Sequence, residues 1–233
     1  MAKANGTPTL STTLDALKAK STAKDIANLE RFAINPAKFF GVSMANLKGL
    51  AKPIGRNHEL ALELWDSGWY EARMLATLID EPAKVTAAQM DRWCKAFDNW
   101  GIVDTACFCL FDRTPFTFDK IHKWSKLKGE FQKRAAFALL WSTSLHDKKS
   151  GDEPFLKCLP LIERAATDER NFVKKGVKMA LGAVGRRSAV LHAACTELAE
   201  RLSKSTDATS RWLGKDALRQ FAKLKNSQSA RNL

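Results

Sequence analysis

Apolar residues recur every three to four positions along most of the chain, which is the spacing of one face of an α-helix. The first such segment places Leu10, Leu14 and Leu17 on a single face. The alternation of apolar and polar residues that is typical of β-strands is not strong anywhere. The pattern therefore predicts an all-α protein.

Proline, glycine and capping residues divide this periodic pattern into separate helices. Ser21, Ser43 and Ser188 are predicted to cap helices, whereas Pro53 and Gly185 are predicted to end them. The predicted helices cover about residues 9–20, 22–32, 44–52, 57–66, 69–80, 87–99, 102–111, 117–126, 130–145, 153–166, 169–184, 189–202 and 206–223.

The links between these helices are short, so consecutive helices are predicted to form antiparallel pairs. Such pairs recur at roughly the size of a HEAT repeat, although the sequence has no strict repeat. Stacked pairs build a curved superhelix with a concave face. We therefore predict a HEAT-like α-solenoid in a single domain at 9–225, between disordered tails at 1–8 and 226–233. A globular helical bundle is the alternative.

The charge balance narrows the choice of partner. The 233 residues include 38 Lys and Arg against 25 Asp and Glu, which gives a formal net charge of +13. Such an excess favours a polyanion (DNA, RNA or an anionic membrane surface), and on a curved helical surface it predicts a basic concave face. The apolar runs are too short for a transmembrane helix, and the N-terminal segment lacks the apolar core of a secretory signal. We expect a cytoplasmic protein that lies along the nucleoid.

Five cysteines are present, at Cys94, Cys107, Cys109, Cys158 and Cys195. The odd number and the apolar context of four of them favour small buried side chains in a reducing compartment. The Cys107-x-Cys109 pair with His122 downstream fits no standard zinc spacing. No metal site is predicted.

The segment Trp-Gly-Ile-Val-Asp at 100–104 contains an indole and a carboxylate four residues apart. In a helix, Trp100 and Asp104 lie on the same face, one turn apart. A carboxylate in such apolar surroundings is expensive to bury without a partner or a task. One interpretation is a solvent-facing Asp104 near a helix start, with Trp100 filling the core. The other is a functional site.

Several segments together resemble the AlkD-type DNA alkylation repair glycosylases, which are HEAT-like helical proteins. The similarity is ordered along the chain and covers about 35–200. The segments are KFFGV at 38–42, LALELWDSGWYEARMLATLI at 60–79, DNWGIVD at 98–104, FQKRAAFALL at 131–140, and DERNFVKKGVKMALGAVGRRS at 168–188.

This resemblance implies a monofunctional hydrolase of base excision repair. Its substrate would be double-stranded DNA with a cationic N3- or N7-alkylpurine, and its product an abasic site. No metal or organic cofactor is implied, and we expect a monomer.

Asp104 and Trp100 are the candidate catalytic residues. The charged purine is already a good leaving group, so the sugar, which becomes oxocarbenium-like, needs the stabilisation. A fixed carboxylate at Asp104 would stabilise that charge and orient a water. The indole of Trp100 would contact the cationic lesion, and such a contact contributes about 0.5–2 kcal/mol.

The candidate DNA-binding residues follow on later helices. Arg134 matches the family's arginine and would hold a phosphate beside the lesion, a bidentate role that Lys fills poorly. The basic side chains expected to contact the DNA backbone, and to make binding salt-dependent, are Lys133, Lys174, Lys175, Lys178, Arg186 and Arg187.

Three positions depart from the family's pattern. Met179 stands where a second Trp is expected, and it lacks the rigidity and quadrupole of an indole although it can pack against a sugar or base. Gly176 replaces a typical Ala, and Gly101 occupies a position that is often acidic. The alternative is therefore a non-catalytic relative that recognises distorted or branched DNA. A helical scaffold for protein partners is a third hypothesis, against which the positive charge argues.

Two other features have simpler interpretations. LGAVGRRSA at 181–189 faintly resembles the hairpin of helix-hairpin-helix glycosylases, but a helix end at Gly185 followed by a cap at Ser188 explains it. The remaining tryptophans are predicted to lie in the core or at its rim. They are Trp65, Trp69, Trp93, Trp124, Trp141 and Trp212.

Overall fold

The computed structural model describes the backbone of residues 8–229 and the side chains of residues 8–223. All regular secondary structure in this described part is helical, which confirms the predicted all-α class. The chain divides into two compact units, Met1–Leu110 and Phe111–Leu233, and each is described here by itself. The single domain predicted at 9–225 stays a prediction, and so do the tails predicted at 1–8 and 226–233, of which residues 1–7 and 230–233 lie outside the described residues.

The first unit contains seven helices among its described residues, and six of them begin at a side-chain cap. The capping oxygens belong to Thr9, Thr22, Ser43, Asn57, Thr86 and Asn99. Each accepts a hydrogen bond from the backbone N–H three residues later, which satisfies one of the donors left open at a helix start. The helices are α1 (Leu10–Lys18), α2 (Ala23–Arg31), α3 (Met44–Ile54), α4 (His58–Asp66), α5 (Tyr70–Ile79), α6 (Ala87–Lys95) and α7 (Trp100–Cys109).

The second unit begins with a 3-10 turn at Phe111–Arg113 and continues with helices only. Consecutive helices pack as pairs in both units, for example α4 with α5. In the second unit α8 pairs with α9, α13 pairs with α14, and α9 also packs along α12. These helices are α8 (Thr117–Trp124), α9 (Glu130–His146), α10 (Glu153–Leu156), α11 (Leu159–Ala165), α12 (Asn171–Val184), α13 (Ala189–Ser203) and α14 (Ala208–Ser229).

Several predicted helix ends were wrong by a few residues. Thr22, not Ser21, caps α2, and α7 begins at Trp100, two residues before its predicted start, with Asn99 as its cap. Pro53 lies inside the last turn of α3 instead of stopping it. At the other end of the chain, α14 continues to Ser229, beyond the end predicted at 223 and into the predicted tail.

The helix predicted at 153–166 is two helices, α10 and α11. Cys158 separates them, and Pro160 is the second residue of α11. Proline has no N–H to donate to the preceding turn, and its ring clashes with the carbonyl four residues earlier. A first-turn position avoids both problems, so the helix ends and restarts just before Pro160.

Aromatic side chains dominate the core of the first unit. Trp65 of α4 and Trp93 of α6 are buried and stack in parallel with their ring centroids 3.9 Å apart. Phe97 meets Trp65 edge-on at 6.1 Å, and the Arg73 guanidinium lies over the Trp65 ring at 5.4 Å. These two tryptophans therefore hold α4 and α6 together, which confirms their predicted place in the core.

Close helix packing in the second unit depends on one glycine. A Cβ at Gly214 of α14 would clash with the backbone of Ser203 and Ala199 of α13. The two helices therefore approach to backbone contact at this point. Trp124 is also buried, as predicted.

Candidate functional site

The two candidate catalytic residues lie at the start of α7. Asn99 caps the helix by accepting the backbone N–H of Ile102 at 3.1 Å, which makes Trp100 the first helical residue. Asp104 follows one turn later on the same face, and both side chains are half-buried. The predicted shared face is therefore present, and Asp104 is neither enclosed in the core nor fully solvent-exposed.

The orientation of the Trp100 ring is fixed by a hydrogen bond. Its indole N–H donates to the backbone carbonyl of Phe32 at 2.8 Å. Because Phe32 follows α2 directly, this bond connects the start of α7 to the end of α2. One edge of the indole is thus held by the protein, which limits its rotation.

Gly101 is required by a close approach of Tyr70. A Cβ at position 101 would lie 2.6 Å from the Tyr70 hydroxyl oxygen and 3.1 Å from the Ile34 side chain. Tyr70 is buried, and burial raises the pKa of its hydroxyl, with the carboxylates of Glu71 and Asp98 adding to the effect. The hydroxyl therefore stays neutral at physiological pH and can serve as a hydrogen-bond donor.

A pocket of about 350 Å³ opens beside the first turns of α7. We call it the α7 pocket. Four helices contribute to it, and two of its side chains are carboxylates, Asp104 and Asp25. Its lining residues are Asp25, Asn28, Leu29, Phe32, Ile34, Val42, Ser43, Met44, Leu47, Tyr70, Met74, Trp100, Gly101, Asp104 and Thr105.

A buried glutamate shapes one wall of the α7 pocket. Glu71 is fully buried, and its carboxylate accepts three backbone N–H groups. The donors are Phe40 at 2.8 Å, Gly41 at 2.7 Å and Val42 at 3.2 Å. Gly41 has φ +81°, a conformation that other residues rarely adopt. The KFFGV segment is therefore folded around Glu71 and delivers Val42 to the pocket.

Three members of this site were not predicted from the sequence: Tyr70, Glu71 and Asp25. Glu71 and the KFFGV segment both belong to segments that carry the family resemblance, but their sequences do not show that they bond to each other. The one available signal was Gly101 next to Trp100, since a glycine within a helix start often marks a close approach.

Arg134 lies in the second unit and is only 5% exposed. Its guanidinium donates to the backbone carbonyl of Phe172 at 2.8 Å and so connects α9 to the start of α12. In this arrangement little of the guanidinium is accessible to a phosphate. The predicted phosphate contact stays a prediction that this burial does not favour.

Arg187 is half-buried and bonds to the protein itself, and its predicted contact with the DNA backbone stays a prediction. Its guanidinium donates to the carbonyls of Ser144, Asp147 and Ser150, and it lies 4.2 Å from the Phe155 ring centroid. It therefore holds the loop between α9 and α10. Gly185 and Ser188 beside it end α12 and cap α13, which confirms the simpler interpretation of that segment.

The basic residues predicted to contact DNA differ in whether they already form ion pairs within the protein. Lys133 is 3.0 Å from Asp168, and Lys178 is 3.2 Å from Asp216. A hydrogen bond from Arg170, with Lys133 adding to it, lowers the pKa of Asp168 to about 2. Lys174 is half-buried, whereas Lys175, Met179 and Arg186 are exposed.

The described residues contain neither a metal-binding cluster nor a membrane span. Between residues 8 and 223, no three His, Cys, Asp or Glu side chains come together as metal ligands. Over the same described part, no helix has the length and apolar character needed to cross a bilayer. Cys94, Cys107, Cys158 and Cys195 are buried thiols outside any disulfide, as expected for small core side chains.

Comparisons with known proteins give the family and the fold. The sequence profile of the family described as DNA alkylation repair enzyme matches residues 13–223. The chain is also similar to a solved structure of a protein from a new family, described as related to the HEAT-like repeat DNA glycosylases and having affinity for branched DNA structures. The TM-score is 0.75, with 20% identity over 91% of this chain and 95% of that chain. No curated protein sequence matches. The structural similarity confirms the predicted HEAT-like fold.

Proposed function

Because this chain belongs to the DNA alkylation repair enzyme family, we propose that it hydrolyses the N-glycosidic bond of cationic N3- or N7-alkylpurines in double-stranded DNA. The observation that carries the proposal is the α7 pocket, in which Asp104 and Trp100 stand one helical turn apart. A half-buried carboxylate beside a fixed aromatic ring suits a reaction that develops positive charge.

Asp104 would stabilise the sugar as the bond breaks. The electron pair of the C1′–N bond leaves with the purine, which loses its positive charge, and C1′ becomes oxocarbenium-like. A carboxylate near C1′ opposes that charge and accepts a proton from the water that attacks C1′. The products are the free alkylated base and an abasic site.

Trp100 would favour the charged lesion over a normal purine. Its indole is held by Phe32, so the ring face needs little further ordering when a lesion binds. Contact of a cation with such a face contributes about 0.5–2 kcal/mol, and a neutral purine gains less. Tyr70 and Gly101 line the same pocket as the ring.

The net charge of +13 supports duplex DNA as the partner. Lysine and arginine side chains that neutralise DNA phosphates release bound counterions, and this release favours binding. We propose that the protein acts as a monomer on chromosomal DNA in the cytoplasm. It requires no cofactor, since the leaving group is already activated by its charge.

The test is release of 7-methylguanine from methylated duplex DNA by the wild type and by Asp104→Asn. We expect release to fall about 100-fold or more, as it does when one preorganised charge-stabilising group is removed. Asp15→Asn, an exposed carboxylate of α1 in the same unit, is the matched control and should release base at the wild-type rate. Equal release by Asp104→Asn and the wild type would remove Asp104 from the mechanism.

A second candidate is a non-catalytic protein that binds branched DNA. Two observations favour it: the affinity described for the structurally similar protein, and an exposed Met179 where a second tryptophan was expected. Binding to a three-way junction and to a linear duplex of the same sequence separates the candidates. Tight junction binding by the wild type, without base release from either DNA, would support this second function.

A further inference from the structure

An exposed tryptophan lies between two lysines on the surface of the second unit. Trp212, near the start of α14, is 39% exposed. The Lys178 ammonium lies 5.5 Å from its ring centroid, and the Lys174 ammonium lies 6.0 Å from it. Both lysines belong to α12, one turn apart. We call Trp212, Lys174, Lys178 and the exposed Lys175 the Trp212 surface.

Core packing does not explain the position of this indole. The buried face of α14 is formed by Leu213, Ala217 and Phe221, at the spacing of a helix stripe. Trp212 projects beside this stripe, and over a third of its surface meets solvent. Tryptophan is enriched at interfaces because part of its ring can pack against the protein while the rest meets solvent or a partner.

The Trp212 surface is positively charged even after its internal ion pair is counted. Asp216 is 3.2 Å from Lys178 and 3.4 Å from Arg219, and it also accepts a hydrogen bond from the Gln220 side chain. One carboxylate therefore faces two cations, while Lys174 and Lys175 add two more. A polyanion is the chemically matched partner.

We propose that the Trp212 surface binds an unpaired nucleobase, which stacks on the Trp212 indole while the α12 lysines contact the flanking phosphates. Aromatic side chains interleaved with lysines are the arrangement that binds single-stranded nucleic acid, because every base has a face that can stack. Intact duplex offers its phosphates but no free base face. The site therefore distinguishes DNA with an unpaired strand, and it rests on the proposed DNA binding but not on base hydrolysis.

The experiment compares two DNAs and four proteins at one salt concentration. The DNAs are a blunt duplex and the same duplex with a single-stranded arm. The proteins are the wild type, Trp212→Ala, Trp212→Phe and Val190→Ala, which removes another exposed apolar side chain, on α13. We expect Trp212→Ala to weaken binding to the armed duplex about tenfold, and binding to the blunt duplex less than about twofold. Trp212→Phe, which keeps a stacking ring, and Val190→Ala should stay close to the wild type.

A direct optical measurement accompanies the binding assay and does not depend on the alanine variant. Stacking quenches indole emission, so a single-stranded oligonucleotide should quench the wild type more than Trp212→Phe. Equal quenching, or equal loss of affinity for both DNAs in Trp212→Ala, would overturn the proposal. If the wild type bound neither DNA, both this proposal and the proposed DNA binding would fail. If the wild type bound DNA but released no alkylated base, only the proposed hydrolysis would fail.

Discussion

The α7 pocket and the Trp212 surface each place a tryptophan beside charged side chains, but the charges have opposite signs. In the α7 pocket a carboxylate stands beside a tryptophan whose N–H is bonded to the backbone, and the buried Glu71 and Tyr70 fix the surrounding wall. On the Trp212 surface, lysines stand over the tryptophan and the indole is exposed. The first arrangement is fixed and acidic, which suits the stabilisation of a developing cation. The second is open and basic, which suits contact with a polyanion.

The largest expected effect tests whether the α7 pocket is held by Glu71. In Glu71→Gln the amide oxygen can still accept two N–H groups, but the amide NH2 faces the third donor, and the buried charge that strengthens all three bonds is lost. We expect a loss of about 3 kcal/mol in the free energy of unfolding, measured by urea denaturation. Glu30→Gln, an exposed glutamate on α2, should be unchanged. An equally stable Glu71→Gln would mean that the KFFGV segment does not depend on this carboxylate.

The next effect tests whether charges in the second unit act structurally. Asp168 has a pKa lowered to about 2 by Arg170 and Lys133, below the usual value near 3.9. A lowered pKa contributes stability above the unfolded-state value and loses it as the pH falls towards the folded-state value. Asp168→Asn should therefore cost about 2 kcal/mol of unfolding free energy at pH 7, and about half as much at pH 3, where the folded-state carboxyl is still mostly ionised.

Asp119→Asn, an exposed aspartate on α8, is the control for that series. Its cost should be close to zero at both pH values. A cost for Asp168→Asn that stayed constant between pH 7 and pH 3 would contradict the ion-pair explanation.

A smaller effect tests the close approach at Gly101. Gly101→Ala places a methyl group 2.6 Å from the Tyr70 hydroxyl, so we expect a cost of about 1–2 kcal/mol and slower base release. Tyr70→Phe removes the hydroxyl and should recover part of that loss in the double variant. Thermal unfolding of the two single variants and the double variant measures the coupling, and purely additive effects would exclude the contact.

The smallest effect concerns how basic residues bind DNA. The exposed Lys175 should contribute to the salt dependence, so Lys175→Ala should make the slope of log affinity against log salt less negative by about one. Lys133 is already paired with Asp168 at 3.0 Å, so Lys133→Ala should leave that slope nearly unchanged. Equal slopes for the two variants would mean that the ion pair of Lys133 does not prevent it from contacting DNA.

The helical class and the first-turn geometry of α7 could be predicted from sequence because both depend on local periodicity. Trp100 and Asp104 are four residues apart in any helix, so their shared face needed no long-range information. Ser43 and Ser188 were identified as caps for the same reason. The break before Pro160 was missed, although a proline inside a helix removes a backbone hydrogen bond and therefore favours the first turn.

The partners of buried charged groups could not be predicted. Glu71 bonds to amides about thirty residues earlier in the chain, and Arg134 bonds to a carbonyl on another helix. A sequence gives the number of charged residues, but it does not show which of them point inward. The sequence therefore predicted DNA contacts for Arg134 and Arg187, but not the hydrogen bonds that both donate to the protein's own carbonyls.

The central claim is that the Asp104 carboxylate acts on the reacting sugar. The most direct measurement is the single-turnover rate of 7-methylguanine release at saturating enzyme, where differences in DNA affinity cancel. If Asp104 has this role, we expect Asp104→Asn to bind the same methylated duplex as tightly as the wild type and to release the base about 100-fold more slowly. A variant rate equal to that of the wild type, with equal binding, would contradict it.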